Sequence, residues 1–366
     1  MSGSLNIAFF GSSLLSAYWN GAATYYRGVI RALHSLGHRV TFYEPDAFDR
    51  QRHKDMEEPE WCRVHVYSVE GTDGVHRALE FAREADVVVK ASGVGVFDEL
   101  LEREVPSMRR ADGIAIFWDV DAPATLDRLA SNPSDAFHRE VRRYDLVLTY
   151  GGGEPVVTAY ENAGARECIP VYNALDPSTH HPVNPHPDYD ASLSFLGNRL
   201  PDREARVDEF FFRAAAFAPE ETFLIGGNGW SDKPIPENVR YAGHVGTAFH
   251  NAFNCTPKAV LNISRESMAR YGFSPATRVF EAAGAAACLI TDEWEGIPMF
   301  LEPGSEVLVA RDGEEVAEHL RRLSPERARE IGEAAKERVL AEHTYEHRGR
   351  QVDSVLSGRF MAVAGH

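Results

Sequence analysis

Cysteine is scarce in this chain of 366 residues: Cys62, Cys168, Cys255 and Cys288 stand far apart, with no CxxC pair. That spacing speaks against a disulfide framework or a zinc site and fits a reducing cytosol. Positive charge is also in short supply, 38 basic residues against 55 acidic ones, for a net charge of −17. Such a balance argues against a protein whose main work is to hold nucleic acid or an anionic membrane. A small anionic ligand is still compatible, because a few local arginines suffice. No run of about 18 apolar residues occurs, so no membrane span is expected. The start of the chain lacks a basic segment followed by a long apolar run, so no signal peptide is expected either. A soluble, cytoplasmic protein is the expectation.

What is present is ordinary globular composition, 44% hydrophobic and 25% charged, enough to bury a sizeable core. Leu5 to Phe10 is a short apolar run that stops at Gly11-Ser12-Ser13, as a buried strand ending in a tight loop does. Ala23, Tyr26, Ile30, Leu33 and Leu36 then recur at helical spacing, and Gly37 leads into Val40–Tyr43. The alternation continues through strands at 86–90, 113–118, 146–150 and 168–172. Short apolar strands alternating with helices predict a parallel sheet covered on both faces. A stretch without periodicity follows at 173–191, with Pro177, Pro182, Pro185 and Pro187 among His180, His181 and His186. It reads as an interdomain linker. No nearby cysteine or fixed helical spacing supports a metal site there. Alternation resumes at 193–196, 223–225, 239–242, 259–263, 287–291 and 307–310, with helices at 202–217 and 275–286 and a charged helical tail from Pro325.

The expected fold is therefore α/β, with two doubly wound, Rossmann-like domains over 1–172 and 192–345 facing a cleft. A C-terminal helix at 346–366 is expected to return to the first domain through Val352, Val355 and Leu356. In such sheets ligands sit beyond the carboxyl ends of the strands. Gly11 to Ser16 does not spell GxGxxG, and Glu44 lies well past the roughly 20 residues at which a dinucleotide fingerprint places its acid. The NAD reading is weak.

Phe195-Leu196-Gly197-Asn198 with Arg199 and Arg203, then Asn262-Ile263-Ser264-Arg265, then Tyr271 to Glu281, form a more telling series. These segments resemble the donor-binding domain of GT-B glycosyltransferases, most specifically the CgeB-like, spore-maturation branch of the retaining enzymes. Phe9-Phe10-Gly11 and Asn173-Ala174-Leu175-Asp176 are similar to that branch as well. The resemblance implies transfer of a sugar, a hexose first, from a nucleoside-diphosphate sugar such as a UDP-sugar, without a metal or other cofactor. One departure stands out: Phe273 occupies the position of the first glutamate in the EX7E pattern of retaining members. A non-catalytic binder of nucleotide or glycan is the alternative that this departure keeps open.

Glu281 is the candidate for the donor ribose, since a carboxylate accepts from both hydroxyls; a glutamate favoured by a helix start is the other reading. Gly272, Phe273 and Ser274, ahead of Pro275 and Thr277, are expected to offer backbone N–H groups to a diphosphate. Arg199, Arg203 and Arg265 are expected to add bidentate contacts, unless they pair with surface acids. Asn198 and His244 complete the donor-side set. Asp119, at the end of the apolar strand Ile114–Trp118, is the candidate to orient or deprotonate the acceptor hydroxyl, with Asp121 a helix cap. Gly11, Ser12, Ser13, Trp19, Asn20 and Gly21 form the expected acceptor rim.

Overall fold

The computed structural model describes residues 3–18 and 20–364. The chain divides into two compact units, residues 1–172 with 345–366, and residues 173–344.

Unit 1 is built on seven parallel strands: β1 (Asn6–Phe10), β2 (Arg39–Pro45), β3 (Arg63–Tyr67), β4 (Val87–Ala91), β5 (Ile114–Asp119), β6 (Leu146–Thr149) and β7 (Cys168–Pro170). Their order is β3-β2-β1-β4-β5-β6-β7. The central strands are buried on both faces, which is why they read as unbroken apolar runs. Strand β3 escapes the sequence reading because it lies at the sheet edge. Its sequence, Arg-Val-His-Val-Tyr, is buried only at Tyr67.

The helix Tyr345–Ala364 belongs to unit 1 and packs on the helix Ala23–Ser35. The approach is close. A Cβ added to Gly28 would come within 2.2 Å of the Tyr345 ring, so only glycine fits there. Val352 and Leu356 are buried beside Ile7, Phe9 and Leu33, and so form part of the sheet's own core.

Unit 2 has six parallel strands: β8 (Leu193–Leu196), β9 (Phe223–Gly226), β10 (Val239–Gly243), β11 (Ala259–Asn262), β12 (Leu289–Asp292) and β13 (Leu308–Ala310). Their order is β10-β9-β8-β11-β12-β13. The helix expected over 202–217 runs from Pro201 to Phe217, with one π-helical turn at Asp208–Phe212. The helix expected over 275–286 is shorter, Thr277–Gly284, because Ala276 remains extended ahead of it.

Segment 173–191 differs from a free linker. Asn173 Nδ2 donates to Pro275 O (3.1 Å), and Leu175 N donates to His343 O (2.8 Å). Asn251 Nδ2 donates to Thr179 O (2.9 Å), and His186 N to Thr256 Oγ1 (2.9 Å). The segment lacks a repeat because it runs irregularly along unit 2, satisfied by tertiary bonds.

Candidate functional site

Both sheets reverse their strand order at one point, between β1 and β4 in unit 1 and between β8 and β11 in unit 2. Crevices at such points, beyond the carboxyl ends, are where open α/β sheets take ligands.

In unit 2 the loops after β8 and β9 lock together. Asn228 N donates to Asn198 Oδ1, and Arg199 N to Asn228 O, both at 2.9 Å. The Trp230 indole donates to Gly197 O at 2.7 Å. Gly227, at φ +115°, lies so close that a Cβ there would meet Gly197 O at 2.3 Å. Asn198 is thus a loop brace. Arg199 is committed too, paired with Glu204 at 2.7 Å and Asp232 at 3.0 Å. Its expected ligand contact gives way to these acids. The nearby His244, past β10, is exposed.

The other arginines divide sharply. Arg265 Nε is bound to Asp202 at 2.5 Å, and Arg206 pairs with the buried Asp292 at 2.7 Å. Burial raises the Asp292 pKa, opposed by Arg206 and by donation from Ser264. Arg203 and Arg278 are different. Neither side chain makes a hydrogen bond or ion pair with any described residue, although both are half-buried. Arg203 Nε and Arg278 Nη1 are buried without a partner. Burial first, then repulsion from Arg278 and Arg265, pushes the Arg203 pKa down to about 10. Burial also lowers that of Arg278, against the attraction of Glu281. In the sequence Arg278 stands within the run Tyr271–Glu281 that carries the resemblance, but nothing local singles it out from the other arginines as a ligand contact.

Arg278 opens the helix Thr277–Gly284, whose N-cap, Ala276, supplies no side-chain acceptor and whose first turn holds no acid. A helix start of that kind favours an anion. The preceding loop corrects the sequence expectation. Gly272 N donates to Met268 O (3.1 Å) and Phe273 N to Glu295 O (2.6 Å), so these two groups face protein acceptors. Both residues have positive φ, +65° and +45°, and Ser274 is buried beside them. The N–H groups placed at the helix start belong to Thr277 and Arg278 instead.

Glu281 lies in the second turn of this helix, too far along for its N-terminal charge to explain it. Its nearest basic atom is His180 Nε2, at 3.9 Å. His250 faces the same carboxylate and its Nε2 donates to Val245 O (3.2 Å); burial holds its pKa below the ordinary value, partly offset by Glu281. Glu281 therefore keeps most of its acceptor capacity.

In unit 1, Asp119 corrects its expected role. It is fully buried, and its oxygens accept from Ser92 Oγ (2.6 Å), Asp121 N (2.9 Å) and the Tyr160 hydroxyl. A carboxylate so enclosed ties β5 to its neighbours and has no path to an acceptor hydroxyl. Asp121 precedes the helix Ala122–Ser131 but makes no side-chain cap to it. The loop after β1 is likewise engaged within the protein, by its own side chains and by Glu44 and Arg50. Ser12 Oγ donates to Asn20 Oδ1 (2.9 Å), and Asn20 Nδ2 donates to Ser13 O (2.8 Å) and Ser16 O (3.0 Å). Gly11 lies against the Phe42 ring, where a Cβ would intrude at 2.4 Å. Gly21 is exposed, and Trp19 lies outside the described residues. Among the described residues no group of three or more His, Cys, Asp or Glu is arranged to hold a metal, and no helix is long and apolar enough to cross a membrane.

Residues 203–354 match the family described as glycosyl transferase-like. No curated protein matches the sequence. Among solved structures, sucrose-phosphate synthase from Thermosynechococcus elongatus superposes with a TM-score of 0.69 at 14% identity, over 98% of this chain and 100% of that one. HepE of Anabaena, in complex with UDP and glucose, gives 0.65 at 14% identity, over 97% and 100%. An α-glucosyltransferase bound to UDP-glucose and to DNA with an abasic site gives 0.69 at 13% identity, over 97% and 100%. The chain carries a glycosyl transferase-like segment on the two-sheet fold of the GT-B glycosyltransferases.

Proposed function

We propose that this protein is a glycosyltransferase that takes a sugar, a hexose first, from a UDP-sugar bound at the carboxyl edge of unit 2. One observation carries the reading: Arg203 and Arg278 are two half-buried guanidinium groups with no acid to pair with, set where the fold takes ligands. Leaving such donors unmet in a low-dielectric site is costly, and a diphosphate meets them with bidentate bonds. The uncapped helix start at Thr277 adds dipole stabilisation to the same anion. Glu281, one turn along, is the ribose acceptor.

In the reaction the bond from the sugar's anomeric carbon to the β-phosphate oxygen breaks, and its electron pair leaves with UDP. A bond forms from an acceptor hydroxyl oxygen to that carbon, and the hydroxyl proton is released. Arg203, Arg278 and the helix start stabilise charge as it builds on the leaving diphosphate. Support for the UDP assignment comes from the UDP and UDP-glucose complexes of the structural relatives. Retention of configuration rests on the resemblance to the retaining branch.

The proposed chemistry needs no metal, because the two guanidinium groups and the helix start supply the positive charge. Release of UDP from UDP-glucose, with water as the acceptor, is expected to proceed unchanged in excess EDTA. Loss of that activity in EDTA and its return with magnesium or manganese would overturn the metal-free assignment. Binding of UDP-glucose with no turnover under any condition would favour the non-catalytic binder, which the phenylalanine at 273 also favours.

A further inference from the structure

The crevice at the strand-order reversal of unit 1 holds a cation that nothing in the fold requires to be charged. Arg50 follows β2 and is only 7% exposed. Its Nη1 donates to Ser12 O in the loop after β1 (3.2 Å), while its Nε is buried without a partner. No acid pairs with it. Glu44, the carboxylate whose field it feels most, accepts instead from Leu14 N (2.6 Å), Leu15 N (3.4 Å) and Gln51 Nε2 (2.6 Å). Two further acids at these strand ends are committed, Asp98 to Lys90 and to the N–H groups of Val94 and Gly95, Asp119 to Ser92, Asp121 N and Tyr160, while Asp46 and Asp49 beside Arg50 are exposed to solvent, Asp49 paired with Arg52.

The backbone beside Arg50 adds a second, independent observation. Phe48 and Asp49, neither of them glycine, both sit in the left-handed region, at φ +57° and +56°. A phenylalanine in that region is strained, and strain of this kind gathers at functional sites. The strained turn leaves the Phe48 ring 54% exposed, with the Arg50 guanidinium 4.9 Å from its centroid. It also sets the ring against Gly95, in the loop after β4, where a Cβ would meet it at 2.7 Å. Loops after β1, β2 and β4 thus converge on one aromatic face and one uncompensated guanidinium.

We infer that this crevice binds a hydroxylated small molecule bearing a carboxylate or phosphate, with Arg50 taking the anion and Phe48 lying against the carbon skeleton. The role of that molecule as the sugar acceptor rests on the glycosyltransferase reading; its binding does not. An oxyanion pairs the guanidinium charge, as a neutral sugar does not.

The test is calorimetric titration of the full chain, with UDP present at saturation, using glucuronate, glucose 6-phosphate and glucose as probes. At least one anionic sugar is expected to bind tenfold or more tightly than glucose, and the stronger of the two identifies carboxylate or phosphate. R50Q should erase that preference and R50K restore part of it, while F48G, which suits the positive φ, should weaken all probes alike. Equal affinities, no binding of any probe, or a preference that survives R50Q would overturn the inference. A companion titration of UDP alone reports on the donor reading separately. A preference lost in R203Q but kept in R50Q would put the anion in unit 2 and also overturn it. If R50Q melts below the assay temperature, R50K and F48G carry the test.

Discussion

The Arg203 guanidinium lies against the backbone of Gly197, so close that a Cβ at that glycine would come within 3.0 Å of its Nη1. The contact holds a charged fork beside the loop after β8 without giving it an acceptor. Replacing Arg203 or Arg278 by glutamine is therefore expected to weaken UDP by about 1.5–3 kcal/mol, the usual worth of a hydrogen bond to a charged group. Uridine, which lacks the diphosphate, should bind each variant as it binds the parent. Calorimetry with both ligands checks this, and a parallel loss of uridine affinity would count against a diphosphate role.

Glu281 makes the complementary prediction. If its carboxylate accepts from the ribose, Glu281→Ala weakens UDP and uridine alike, by about 1.5–3 kcal/mol. It should also abolish the preference for uridine over 2′,3′-dideoxyuridine. A variant that still prefers the hydroxylated nucleoside would remove Glu281 from that role.

Asp119 is expected to matter for stability. Its buried oxygens hold Ser92, Asp121 N and Tyr160, so Asp119→Asn should cost about 1.5–3 kcal/mol in urea unfolding. Selective loss of turnover at unchanged stability would revive it as a catalytic base.

His250 gives the pH dependence a sign. Burial holds its pKa below 6.5, so the unfolded chain binds its proton before the native chain does. The native state's advantage is complete above about pH 6.5 and declines as the pH falls from there through the lowered native value. Thermal melting from pH 7.5 to 5 should show this decline, and His250→Gln should flatten it. An identical slope in the variant would assign the effect elsewhere.

Removal of Arg348–His366 tests the C-terminal helix. Because Val352 and Leu356 are only 1% exposed within the first sheet's core, the truncation should unfold unit 1, a larger effect than a loosened tether. The milder Leu356→Ala is expected to cost about 2–5 kcal/mol. A truncated chain that melts like the parent would show that the helix is dispensable to that core.

Much was legible in the sequence, and for a physical reason. Strands buried on both faces must be continuously apolar, so the central strands such as β4, β5, β8 and β11 announce themselves, and among the described residues twelve of thirteen strands fall where the apolar runs lie. The helical spacing of Ala23, Tyr26, Ile30 and Leu33 does the same for the first helix, and the run from Tyr271 to Glu281 marks the segment at the second unit's ligand edge. Edge strand β3, Arg-Val-His-Val-Tyr, alternates polar and apolar residues, is buried only at Tyr67, and shows no such run.

What the tertiary structure alone decided is which charges have partners. Arg199, Arg203, Arg265 and Arg278 are the same residue type in one motif region. Glu204 and Asp232 neutralise the first and Asp202 the third, while the second and fourth are left unpaired by the path of distant segments. Asp119 and Glu281 likewise differ only in surroundings: one is sealed among Ser92 and Tyr160, the other stands 3.9 Å from His180 with its oxygens largely unengaged. Local sequence governs backbone periodicity because that depends on neighbours three or four residues away. Charge compensation also depends on groups brought in from tens of residues away, as Asp232 is to Arg199 and Asp202 to Arg265, and only the folded chain determines it.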